Sequence, residues 1–103
     1  MKIEIITKRD DLLIRRLILE PGEAMRWHTD SCHRFSVVVR GNKIGIEFRD
    51  TGERLELPVH PGLADWDEPE HRVHRGINVG SATYEEVVTF YLDRPDVDPQ
   101  PET

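Results

Sequence analysis

Five histidines stand at positions 28, 33, 60, 71 and 74, and the single cysteine stands at 32. Imidazole is the commonest protein ligand for transition metals and changes charge near neutrality, so clustered histidines point to metal binding or proton transfer. His60, between Val59 and Pro61, reads as a hydrogen-bonded structural residue in a loop. The other four fall in two stretches of defined spacing. The first is Gly22-x5-His28-x-Asp30-x3-Arg34-x6-Gly41, and the second is Pro69-x-His71-x2-His74-x3-Asn78. Cys32, beside the first group, is a soft ligand, a redox-sensitive thiol or, as single cysteines mostly are, a small inert hydrophobe.

Holding these groups falls to segments whose apolar residues recur with period two. Ile3 and Ile5 alternate with Lys2 and Glu4, and a branched run from Leu12 to Leu19 ends at the Pro21-Gly22 turn. Further runs cover Phe35 to Val39, Lys43 to Phe48, Arg54 to Leu57, Leu63 to Trp66, Val73 to Asn78 and Tyr84 to Leu92, with turn residues between them. Short alternating runs punctuated by Gly, Pro and Asn predict an antiparallel all-β sandwich or barrel. Residues 1–93 are expected to form one domain. Residues 94–103 are proline-rich and acidic, with too little apolar surface to offset their ordering entropy, and read as a flexible tail.

Composition excludes several classes of function. A net charge of -6 repels phosphate backbones and anionic lipid, and no basic stripe interrupts it, so neither nucleic acid nor membrane is an expected partner. No apolar run reaches the roughly 18–20 residues of a membrane span. The N-terminus lacks the apolar stretch of a signal peptide, and one cysteine permits no internal disulfide, so a cytoplasmic address is expected.

On its two spaced stretches the chain resembles the small single-domain bacterial cupins, the RmlC-like jelly rolls. The first stretch keeps the register of the family's G-x5-H-x-H-x3-E-x6-G motif, and the second that of P-x-G-x2-H-x3-N. The departures fall on functional positions. Asp30 replaces the family's second histidine, Arg34 its glutamate and His71 its turn glycine. The resemblance implies a jelly-roll β-barrel, a homodimer paired through N-terminal strands and sheet edges, and one pocket at which His28, Asp30, Arg34 and His74 converge. A turn near Ser31-Cys32 would bring Arg34 back along the neighbouring strand, and Trp27 and Trp66 would be candidate pocket walls.

Three chemistries stay open for that pocket. His28, Asp30 and His74 are the two imidazoles and one carboxylate of a facial triad suited to Fe, Mn, Ni or Zn, with His33 a fourth ligand if a bulge turns it inward. Arg34 opposes this. At an effective dielectric near 20, a positive charge about 5 Å from a divalent ion costs roughly 6–7 kcal/mol before compensation. Alternatively Arg34 is a fork for a small anionic ligand, with His28 and His74 as acid and base and no metal. In the third, Asp30 and Arg34 merely pair and the histidines are satisfied core groups. An enzyme acting on a small anionic metabolite is the leading expectation, with oxygenase, isomerase and lyase chemistry all open; a non-catalytic ligand-binding or sensing domain is the alternative. His71 is expected in a turn with positive φ, and Asp65, Asp67, Glu68 and Glu70 on a solvated loop.

Overall fold

The period-two segments become nine strands in the computed structural model, which describes residues 1–92. They are β1 (Lys2–Lys8), β2 (Leu12–Leu19), β3 (His28–Asp30), β4 (His33–Arg40), β5 (Lys43–Phe48), β6 (Arg54–Pro58), β7 (Ala64–Asp67), β8 (Glu70–Ile77) and β9 (Tyr84–Tyr91). All pairings are antiparallel. A large sheet runs β1-β2-β9-β4-β7 and a small sheet runs β3-β8-β5-β6. No helix occurs among the described residues, hence none long and apolar enough to cross a membrane. The expected tail, 94–103, and its boundary lie outside the described residues.

Strand parity fills the space between the sheets. Leu17, Leu19, Val38, Ile44 and Tyr84 form one buried cluster, flanked by Met25, Val59 and Leu63. Leu13, Cys32, Val88 and Phe90 form a second. Fully burying a side chain such as Leu19 stabilises by about 1.5–3 kcal/mol. The closing glycine of the first stretch has a steric reason. Gly41 sits at φ 137°, and a Cβ there would lie 2.9 Å from the Tyr84 ring.

Three expectations are corrected here. The chain does not turn back beside itself at Ser31-Cys32. β3 pairs with β8, whereas β4 pairs with β7 and β9, so the segment crosses from the small sheet to the large one. Cys32, buried in the second cluster, anchors that crossing and behaves as a small hydrophobe. His71 adopts no positive φ; it is an exposed residue of β8, because the strand begins at Glu70. Nor is the acidic run wholly a loop, since Asp65 and Asp67 belong to β7, with only Glu68 between that strand and Pro69.

Candidate functional site

The two sheets enclose a cavity of about 410 Å³. Much of its lining is apolar, including Leu17, Ile44, Ile46 and Phe90, and its polar groups include His28, Asp30, Arg34 and His74. The convergence expected of these four is what the structure shows. His28 on β3 and His74 on β8 are direct cross-strand partners. Asp30 follows His28 on the same face, past a register shift in the β3–β8 ladder. Arg34 reaches in from the opposite sheet.

All contacts meet at one carboxylate oxygen. Asp30 Oδ2 lies 2.7 Å from His74 Nε2 and 3.6 Å from His28 Nε2, and it accepts a hydrogen bond from Arg34 Nη1 at 2.9 Å. Arg34 Nη2 also donates to the Glu68 carbonyl. Asp30 is 3% exposed. Burial alone would raise its pKa, but the hydrogen bonds with His28 and His74 and the positive charge of Arg34 outweigh that and hold it well below the usual carboxylate range.

The far nitrogens of both imidazoles are also tied down. His28 Nδ1 lies 2.6 Å from the Arg26 carbonyl oxygen and His74 Nδ1 lies 2.8 Å from that of Arg72. A carbonyl can only accept, so in each ring Nδ1 carries the proton. In a neutral ring Nε2 then presents a lone pair, and the two lone pairs and the Asp30 oxygen face one another. Three acceptors around one point require a cation between them: protons on the rings or a metal ion.

The donor set fits a metal. The three ligand atoms lie within 4.8 Å of one another. First-row ions bind N and O at about 2.0–2.2 Å, which sets neighbouring facial ligands about 3 Å apart, so the separations of 2.7 and 3.6 Å need only small adjustments. Carbonyl-bound Nδ1–H groups are the usual outer support of ligating histidines. Arg34 would then be the hydrogen-bond partner of the ligating carboxylate.

His33 takes no part in this centre. On β4 it has the parity opposite to Arg34, so its ring leaves the cavity, pairs with Glu68 and stacks on Trp66 with centroids 5.8 Å apart. Neither tryptophan walls the pocket. Trp66 lies on the outer side of β7, and Trp27 packs beneath the guanidinium groups of Arg75 and Arg49.

Other lining groups escaped the sequence reading. Asp65 and Asp67 line the cavity from β7, Glu86 and Tyr84 from β9 and Arg15 from β2. Burial raises the pKa of Asp67 against the opposing charge of Arg34, its cross-strand partner. Burial likewise raises Glu86, although the Tyr84 hydroxyl donates a hydrogen bond to it. Parity was the missed signal for Glu86, which alternates in register with the buried Tyr84, Val88 and Phe90.

Two antiparallel sheets around a pocket supplied by both spaced stretches define the cupin double-stranded β-helix, and the chain has that fold. A cupin domain from Bordetella pertussis Tohama I superposes with a TM-score of 0.76 at 16% identity, over 87% of this chain and 91% of that one. An RmlC-like cupin family protein from Methanocaldococcus jannaschii gives 0.70 at 17%, over 87% and 78%. A Cupin 2 conserved barrel domain protein from Salinispora arenicola gives 0.65 at 13%, over 87% and 74%. No family model and no curated protein matches the sequence.

Proposed function

We propose that the cavity is a small-molecule site built on a divalent-metal centre held by His28, Asp30 and His74, and that the protein is an enzyme acting there on a small anionic metabolite. The observation that carries this is the pair of fixed Nδ1–H tautomers, which aim both Nε2 lone pairs at the Asp30 oxygen. A bound divalent ion would act as a Lewis acid toward a coordinated oxygen. The residues supply the rest. The apolar lining takes the body of the ligand and excludes water, and the buried, unpartnered Nε–H of Arg34 is a donor for an anionic group.

The charge objection to Arg34 weakens in this setting. Asp30 is hydrogen-bonded to it and Asp67 lies across from it on β7, so two carboxylates oppose its charge. Untagged protein purified without chelator and analysed for metals tests the reading. A transition metal near stoichiometry, or a rise in Tm on adding Fe(II), Ni(II) or Zn(II), is expected. Less than about a tenth of an equivalent together with no rise in Tm would overturn it.

One observation favours a second reading, in which the pocket binds its ligand without a metal. The Arg34 and His74 contacts already draw on the lone pairs of Asp30 Oδ2, as in a closed Asp–His–Arg network. Under that reading metal leaves Tm unchanged, while Arg34→Met abolishes binding of small carboxylates.

A further inference from the structure

The cavity has an open side, and the two lips of that side differ in chemistry. β6 and β7 are edge strands of their sheets, and no ladder joins them among the described residues. Leu55 and Leu57 on β6 pair with Ile46 and Ile44, so they share the inward face, yet they are 46% and 48% exposed. Asp65 and Asp67 on β7 line the cavity and are exposed as well. Inward-facing leucines half open to water place the mouth along the seam between these strands. One lip is apolar and the other acidic.

The acidic lip lacks a counter-charge within the protein. Neither Asp65 nor Asp67 has an ion pair or a side-chain hydrogen bond among the described residues. Arg34 is the cross-strand partner of Asp67, but its Nη groups are taken up by Asp30 and the Glu68 carbonyl. Glu86, farther along the inward face, is opposed by the positive charge of Arg15. Asp30 is thus balanced by Arg34 and Glu86 by Arg15, and the pair on β7 is left over. Two carboxylates at the mouth of a pocket repel a purely anionic molecule and favour one that also carries a cation.

We propose that the ligand is a small zwitterion, an amino acid or a related aminocarboxylate, bound with its carboxylate at Arg34 Nε and its ammonium group at Asp65 and Asp67. This rests on the reading of the cavity as a site for a small anionic metabolite and specifies the other end of that metabolite. The ladder sets the scale. Residues directly across from each other, as Arg34 and Asp67 are, have Cβ atoms about 5 Å apart, and diagonal neighbours such as Arg34 and Asp65 lie about 7–8 Å apart. A molecule bridging them needs its opposite charges only a few bonds apart. Ile46 and Leu57, across the mouth, cover its carbon skeleton. A divalent ion at His28, Asp30 and His74 would offset the two remaining carboxylates, so a ligand of zero net charge leaves the cavity neutral.

Isothermal titration of the full chain against matched probes tests this. The panel is L-alanine, β-alanine, 4-aminobutyrate and L-leucine, each beside its des-amino acid and its des-carboxy amine. At least one amino acid is expected to bind about tenfold or more tightly than both of its analogues. Asp65→Asn/Asp67→Asn should erase that preference, weakening the amino acid about tenfold while its des-amino acid binds as tightly or more so. Asp65→Asn alone should give an intermediate loss, which keeps the preference readable if the double variant fails to fold. Equal affinity for an amino acid and its des-amino acid, or a preference that the variants leave intact, overturns the inference and leaves the anionic reading of the site standing. Failure of every amino acid to bind up to about 10 mM overturns it as well. Binding of the des-amino acids then judges the anionic reading separately, and metal content measured on the same samples judges the metal centre.

Discussion

His28 and His74 face each other across the β3–β8 ladder, their rings 4.7 Å apart, and each is tied to the carbonyl oxygen two residues before it in the chain. The repeated i to i−2 bond means the backbone, rather than a neighbouring side chain, sets both tautomers. Each ring is held whether or not its Nε2 has a partner, so the pair is preorganised for whatever cation sits beside Asp30.

Asp30 is the hub of this centre, and its removal should be costly. Asp30→Asn takes the counter-charge from a guanidinium whose side chain is only 17% exposed. Breaking a buried pair from one side costs about 3–5 kcal/mol. Asp30→Asn should therefore lower stability by about that amount in chemical denaturation, and Asp30→Asn/Arg34→Met should recover part of it. A double variant no more stable than the single one would show that Arg34 does not depend on Asp30.

Arg34→Met separates the two roles of the arginine. Removing a positive charge close to the ligand set should tighten Zn(II) or Ni(II) binding at least tenfold, since about 1.4 kcal/mol suffices for that and the Coulomb term is several times larger even at an effective dielectric near 20. The same variant should lose affinity for small carboxylates. Isothermal titration of the metal-free protein checks both. Unchanged metal affinity would mean that the guanidinium is fully neutralised by Asp30 and Asp67.

The strand pattern, the pocket and its four convergent residues were legible because alternation and spacing are local. What was not legible came from pairing between distant segments. Ser31-Cys32 looks like a hairpin turn, and only the register of β3 on β8 and β4 on β9 reveals a crossing between sheets. Asp65 and Asp67 sit in a run of acids that composition assigns to solvent, and pairing of β7 with β4 turns their parity inward. For His33 the sequence left open a bulge that would make it a ligand, and only the regular β4–β9 register, His33 on Tyr91 and Arg34 on Phe90, removes it.

Asn78, which closes the second stretch, is a structural device. It is 1% exposed, donates to the carbonyls of Leu19 and Ala82 and accepts from the Gly80 amide. It thereby joins the end of β2 to the β8–β9 connection. Asn78→Ala leaves two carbonyls and one amide without that partner, at roughly 1 kcal/mol each, so a loss of about 2–4 kcal/mol is expected, seen as a fall in Tm of at least about 8 °C. Metal binding by the variant at low temperature should be unaffected, because Asn78 touches none of the ligands.

Glu86 gives the fold a pH dependence of defined sign. Burial raises its folded-state pKa above the unfolded value of about 4.3. The folded protein thus holds this proton more tightly than the unfolded chain, and stability from this group falls as pH rises through the unfolded pKa toward the folded one. The penalty is complete above the folded pKa and absent below the unfolded one. Glu86→Gln removes it while keeping an acceptor for the Tyr84 hydroxyl. The variant should therefore melt a few degrees above wild type at pH 8, with the gain shrinking toward zero near pH 4. Scanning calorimetry across that range decides the matter, and a gain that is the same at both ends would show that Glu86 is destabilising through its packing rather than its charge.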